Sequence, residues 1–150
     1  MQTGFNVRVY GIMINDRKQV LVTDEYIRGG YYTKFPGGGL EFGEGTLECM
    51  VREWQEELAQ DVRVVEHIYT TDFFQISAFD NETQIISIYY LVEPLSPFTA
   101  QTLNKPFDFK VPEGVSEVEY ARWINWEDFS AEAVTLPIDK VVADMVKARY

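Results

Sequence analysis

One stretch constrains this chain more than any other, Gly38 to Gln60, which reads GGLEFGEGTLECMVREWQEELAQ. A glycine-rich turn carries Glu44 and opens into a run with helical period. At ~100° per residue, Leu47, Met50, Val51, Trp54 and Leu58 share one arc of a helix predicted from about Thr46 to Leu58. Glu53, Glu56 and Glu57 share another arc, where i, i+3, i+4 spacing stacks three carboxylates on one side. Like charges stacked this way repel one another on a bare helix. A positive group should offset that repulsion, and a hard divalent cation such as Mg²⁺, Mn²⁺ or Ca²⁺ suits oxygen ligands. Taken alone, the triad reads better as a solvated helix face than as a metal site.

At 150 residues the chain is expected to form one domain over 1–150 with a core of useful size. An apolar share of 46% and an aromatic share of 15% argue for a folded chain. The net charge of −11 argues against free nucleic acid as a partner. Residues 38–60 hold six acids (Glu41, Glu44, Glu48, Glu53, Glu56, Glu57) against one base, Arg52. Part of the acidity therefore belongs to the candidate cation site rather than to a repulsive surface. Cys49 is the one cysteine, so no intrachain disulfide forms. No apolar run is long enough to span a bilayer and the N-terminus lacks a signal-peptide core, so the expectation is a cytoplasmic protein with no membrane partner.

Phe5–Ile14 and Gln19–Thr23 read as strands around the polar turn Asn15–Lys18, predicting an opening hairpin. A loop through Gly29 and Gly30 leads to a short strand at Tyr31–Phe35, and Pro36-Gly37-Gly38-Gly39 is non-regular. Beyond the helix, Val62–Phe79 is strand-like with a bend or bulge. Asp80–Glu82 is the turn, and Thr83–Val92 pairs back. Glu93–Gly114 carries four of the six prolines and reads as a long loop, a length that often serves function. Glu117–Ile124 is a further strand and Trp126–Ala133 a short helix. Pro137 opens a last helix packed through Ile138, Val141, Val142 and Met145. The order strands, helix, strands, helix predicts an α/β fold, an α/β/α sandwich with a central mixed sheet.

The run Gly38, five residues, Glu44, seven residues, then Arg52-Glu53-Trp54-Gln55-Glu56-Glu57 resembles the Nudix box of the Nudix hydrolases, G-x5-E-x7-R-E-U-x-E-E-x-G-U with U a bulky apolar residue. Phe35-Pro36-Gly37-Gly38 is similar to the family's usual lead-in. Two positions depart: Ala59 stands where the pattern has its late glycine, and Gln60 where it has its final apolar residue. A glycine there usually supplies a left-handed helix cap, so the helix is expected to end differently.

The resemblance implies a Nudix-type sandwich and a metal-dependent hydrolase, with Mg²⁺ or Mn²⁺ as cofactor. Its partner would be a small-molecule diphosphate: a nucleoside diphosphate linked to another moiety, as in nucleotide sugars, ADP-ribose-like compounds, dinucleoside polyphosphates or (d)NTPs. It implies Glu56 and Glu57 as main metal ligands, Glu53 as a further ligand or base, and the Gly38 carbonyl in the metal shell. Arg52, counted with the three glutamates in the catalytic set, would pair with Glu44 to pin the loop on the helix. A further acid would come from outside the box, Glu117 or Glu119, in a stretch Glu-Val-Glu-Tyr-Ala-Arg-Trp similar to a late family segment. Glu113 and Glu93 rank behind them. The marker residues of ADP-ribose and dinucleoside polyphosphate hydrolases are replaced by Gln75, Ile76, Ser77 and Ala78, which leaves the 93–114 loop as the expected selector.

Tyr26, Tyr31, Tyr32, Phe73 and Phe74 could stack on a base, and Arg8, Arg28 and Lys34 could meet phosphate; packing and solvation are their plainer roles. Cys49 reads as a small residue fitting a crowded site and His67 as an ordinary strand residue. The family resemblance also admits a homodimer. The alternative function is a non-catalytic sensor holding a nucleotide metabolite, supported only by Ala59 and Gln60; an isoprenoid diphosphate isomerase is a third idea, for which Cys49 is badly placed.

Overall fold

A computed structural model describes residues 4–150. The strands are β1 (Gly4–Ile12), β2 (Gln19–Ile27), β3 (Gly30–Lys34), β4 (Gly37–Gly39), β5 (Val62–Thr70), β6 (Thr83–Pro94), β7 (Thr102–Leu103) and β8 (Glu117–Asn125). The helices are α1 (Thr46–Leu58) and α2 (Pro137–Arg149). The strands form two four-stranded mixed sheets, ordered β4-β1-β6-β5 and β3-β2-β8-β7.

The expected opening hairpin forms only at its tip. Asn15 accepts backbone N–H bonds from Arg17 and Gln19 and closes the turn, and a bridge joins Ile14 to Val20. Beyond it the strands part: β1 runs parallel to β6, and β2 runs antiparallel to β8 in the other sheet. The reason lies in their two apolar faces. Val9 of β1 and Met13 just beyond it join one core with Leu21 of β2, while Tyr10 and Ile12 join a second with Val20 and Val22. Strands buried on both faces are satisfied by lying between two layers, not by a hairpin with one wet face.

The first core takes Cys49, Met50, Trp54 and Leu58 from α1; the second takes Ile138, Val142, Ala143 and Val146 from α2. Helix, sheets and helix are thus the layers of an α/β/α sandwich. Trp54 is the anchor of the first core. It is fully buried, its indole N–H donates to the Pro36 carbonyl at 3.2 Å, and a Cβ on Gly11 would sit 2.8 Å from its ring. Leu47 and Val51 were expected on this face but are 53% and 43% exposed. The buried arc is rotated toward Cys49, which leaves Glu53 half-buried against Gly38 and Glu57 exposed. In α2 the same shift occurs: the stripe runs through 138, 142 and 146, with Met145 exposed.

β5 and β6 pair antiparallel, with register shifts at Val64/Glu66 and His67/Tyr69 where a bend was expected. β5 stops at Thr70, short of the predicted Phe79. The 93–114 stretch is not wholly loop, since β7 lies parallel to Ala121 and Arg122 of β8. Two 3₁₀ turns, Trp126–Asp128 and Ala131–Ala133, replace the predicted short helix. Among the described residues, no helix is long and apolar enough to cross a membrane.

Candidate active site

The loop after β4 is tied to α1 by charge. Arg52 donates to both Glu44 oxygens, at 2.9 and 2.7 Å, and to the Gly39 carbonyl at 3.1 Å. Its Nη1 reaches Glu53 at 3.0 Å and Glu56 at 3.1 Å. The Glu41 backbone N–H donates to Glu44 as well. The Arg52 fork, with that N–H, holds the Glu44 carboxyl well below the usual carboxylate range, at about 2. This is the loop-to-helix pinning expected of the pair. Gly38 sits in β4 opposite Val9. A Cβ there would lie 2.5 Å from the Glu53 carboxyl, so only glycine lets the strand approach the acid this closely.

The box acids do not all point the same way. Glu56 lies on the open side, its side chain 59% accessible, against 12% for Glu53. Glu57 faces the β2–β8 sheet. There Glu25 and Glu119 are direct cross-strand partners, with Ile27 opposite Glu117 two pairs further along. Residues two apart share a sheet face, so Glu25, Glu117 and Glu119 look toward the same side. Like charges directly opposite each other destabilise a sheet.

Surrounding protein first, then the charges of Glu119, Glu53 and Glu25, push the Glu57 carboxyl up. Glu119 is also raised, by burial and then by Glu25, with Lys34 opposing. Both residues keep accessible surface in the cleft. Among the described residues, no three acid side chains close into a ready cage for an ion. What the fold gathers is a set of hard oxygen donors in excess of local positive charge, which fits Mg²⁺ or Mn²⁺. Glu53, Glu56, Glu57 and Glu119 could hold such an ion, with Glu25 beside them.

These acids stand at the junction of two clefts. One, about 540 Å³, is lined by Glu25, Glu57 and Glu119 together with Arg8, Lys34 and Asp139. The other, about 430 Å³, shares Glu57 and Glu119 and adds Glu56, Ala59, Ala100 and Gln101. In the larger cleft Arg8 donates to the Tyr10 hydroxyl, and Lys34 lies 3.6 Å from Glu25. Arg28 and Phe79 form its rim, the guanidinium 5.5 Å from the ring centroid. Of the aromatic candidates, Tyr26 lines this cleft. Tyr31 packs on Phe107, Tyr32 packs on Phe79, and Phe74 is exposed.

Glu117 also lines the larger cleft, but it is Glu119 that meets Glu57. Glu93 pairs with Arg63 on the surface. Glu25 was not among the sequence candidates, because the second strand was read as ending at Thr23; it runs on to Ile27. An acid in phase with the inward-facing Leu21 and Thr23 was the signal for it. Cys49 is buried, its thiol 3.6 Å from the Gly39 carbonyl, and burial followed by Glu44 pushes it up to about 12. It is a packed neutral thiol, as read. Ala59 takes the left-handed cap conformation after all, φ 50° and ψ 36°, with its N–H bonded to the Gln55 carbonyl. The helix end therefore keeps its usual form despite the missing glycine, and that departure no longer speaks for a non-catalytic protein.

The NUDIX domain family model matches residues 4–145. Nudix hydrolase 2 of Arabidopsis thaliana is 30% identical over 126 residues, 82% of this chain. The chain spans 40% of that relative's length. Among solved structures, the ORF135 protein of E. coli superposes with a TM-score of 0.68 at 18% identity, covering 97% of this chain and 91% of that one. A NUDIX hydrolase from Nitrosomonas europaea gives 0.68 at 20% identity, covering 95% and 88%. A loop clamped to a helix by Glu44 and Arg52, acids gathered at the junction of two clefts and a family match along nearly the whole chain agree: this chain belongs to the Nudix family.

Proposed function

We propose that this protein is a divalent-metal-dependent pyrophosphohydrolase acting on a nucleoside diphosphate linked to another moiety. The observation that carries the reading is the meeting of Glu57 with the cross-strand pair Glu25 and Glu119 at the junction of two clefts. A pyrophosphate is densely negative and water attacks it poorly. A bound Mg²⁺ or Mn²⁺ would neutralise that charge and make water a better nucleophile. Glu53, Glu56 and Glu57 would hold the ion, with Glu119 as the acid from outside the box.

The chain's own residues supply the rest. Arg52 holds Glu53 and Glu56 in place while its other edge fixes the loop through Glu44. Arg8 and Lys34 offer positive charge to the phosphate side of a substrate in the larger cleft. Glu57, raised by burial and then by the charge of Glu119, and Glu119, raised by burial and then by Glu25, can share or move a proton beside the reacting phosphate.

The test is phosphate release by purified protein with Mg²⁺ or Mn²⁺ across sugar nucleotides, ADP-ribose, dinucleoside polyphosphates and (d)NTPs. Glu57→Gln and Glu56→Gln should each lose about 10²–10⁴-fold in kcat, the range of an acid–base or charge-stabilising group. Equal release by wild type and both variants would remove the proposal.

A further inference from the structure

Gln60 is the residue that fits the family pattern least, and it is completely buried. It follows the left-handed cap of α1 directly. Its amide nitrogen donates to the Ser96 carbonyl at 2.9 Å, the Ser96 hydroxyl at 3.1 Å and the Asp61 carbonyl at 2.9 Å. The Asp61 N–H reaches the same hydroxyl at 3.2 Å, and the Leu95 N–H reaches the Asp61 carbonyl at 2.8 Å. The other end of the amide, Oε1, is buried without a hydrogen-bond partner. If this position served packing alone, an apolar side chain would fill it with no stranded acceptor. What the amide adds is a fixed joint between the acidic helix and residue 96.

That joint lies just before a wall of the smaller cleft. Two residues on, Phe98 packs edge-to-face on Trp123 at 5.1 Å. Ala100 and Gln101 then face Glu56 and Glu57 across the cleft, and β7 ties the chain to β8. Among the described residues, no lysine or arginine lines this cleft. Its non-acidic walls are alanine, leucine, glutamine and tyrosine, which suit an uncharged hydroxylated group better than a polyanion.

We infer that Gln60 and Ser96 are positioning residues that set the smaller cleft to accept an uncharged sugar-like moiety on the far side of the scissile diphosphate. The inference rests on the hydrolase reading and names its substrate class: a nucleoside diphosphate sugar over the matching nucleoside triphosphate. Hydrolysis breaks one P–O bond of the diphosphate bridge with one water, giving a nucleoside monophosphate and a sugar phosphate.

The experiment compares wild type, Gln60→Met, Ser96→Ala and Ser96→Thr on one nucleoside diphosphate sugar and the triphosphate of the same nucleoside. Gln60→Met keeps the volume and removes the donor. It should raise KM for the sugar nucleotide about 10-fold, with kcat and the triphosphate KM within 2-fold. Ser96→Ala, at a half-exposed position that folding tolerates, should raise it about 3-fold, and Ser96→Thr should restore it. Amide exchange over residues 95–103 should quicken in Gln60→Met. A fall in kcat alone, equal changes in both KM values, no change in exchange, or wild-type turnover of the triphosphate without the sugar nucleotide would each overturn the inference. If wild type hydrolyses neither, the hydrolase reading fails separately. The joint is then decided by calorimetry, where Gln60→Met must weaken sugar-nucleotide binding about 10-fold or the inference falls too.

Discussion

On the outer flank of α1 the carboxylates share one cation: Arg52 serves Glu44, Glu53 and Glu56 and also donates to the Gly39 carbonyl. On the inner flank Glu57 meets Glu119, Glu119 is paired across the ladder with Glu25, and Lys34 is the cation set against them. On the outer flank one guanidinium holds the carboxylates in place. The inner flank carries an excess of negative charge that the fold alone leaves in place. Stability built into one side supports a side that is complete only with a ligand, which is how strained charge persists at functional sites.

The largest effect expected from this comparison concerns a third arrangement, an acid buried beside a tyrosine hydroxyl. Asp139, in the first turn of α2, is 2% exposed; the Tyr89 hydroxyl donates to one oxygen while the other has no hydrogen-bond partner. Burial pushes its carboxyl up to about 6, against the pull of Tyr89 and Lys34. A pKa raised above that of the unfolded chain means the folded state binds the extra proton. Its stabilising contribution is complete below about pH 4 and is lost as pH rises to about 6. A shift of about two units corresponds to something on the order of 3 kcal/mol across that window. Denaturant unfolding from pH 4 to 7 should show this decline in wild type and not in Asp139→Asn. Parallel profiles for the two proteins would mean that burial does not raise the Asp139 carboxyl.

The same contrast explains what the sequence made legible. The outer flank could be read because its spacing is local: Glu44, Arg52, Glu53 and Glu56 fall within 13 residues of one turn and one helix. The inner flank needed Glu25 and Glu119 to become neighbours, and only the pairing of β2 with β8 does that. Glu119 was reachable through a family-like segment; Glu25 had no such signal once its strand was cut short. The parting of β1 and β2 was hidden for a similar reason, since a polar turn between alternating runs looks the same whether the strands pair or diverge. The rotation of the buried arc of α1 was set by Trp54 against Gly11, a contact 43 residues apart.

A middle-sized effect tests whether the helix joining the two flanks ends under strain. Ala59 sits at φ 50°, a conformation that is about 1–2 kcal/mol unfavourable for an L-residue with a Cβ. Glycine removes that strain but gains freedom in the unfolded chain, which returns part of the difference. Ala59→Gly should therefore raise the unfolding free energy by about 0.5–1 kcal/mol, read from the denaturant midpoint at unchanged slope. A loss of stability would show that the cap is held by more than its backbone geometry.

The smallest effect is the sharpest, because its sign differs between the flanks. Glu119→Gln, measured without divalent metal, removes one of two like charges placed opposite each other in the β2–β8 ladder. Cross-strand pairs contribute roughly 0.2–1 kcal/mol, so relieving this repulsion should raise Tm by about one or two degrees. Glu44→Gln removes a charge of the same sign from the other flank and should lower Tm, since it strips Arg52 of its bidentate partner. Saturating Mg²⁺ should then reverse the first result: wild type gains stability from binding while Glu119→Gln gains less, because one oxygen donor has lost its charge. If both variants lowered Tm in the absence of metal, the inner carboxylates would be satisfied by the chain already and the distinction between the two flanks would fail.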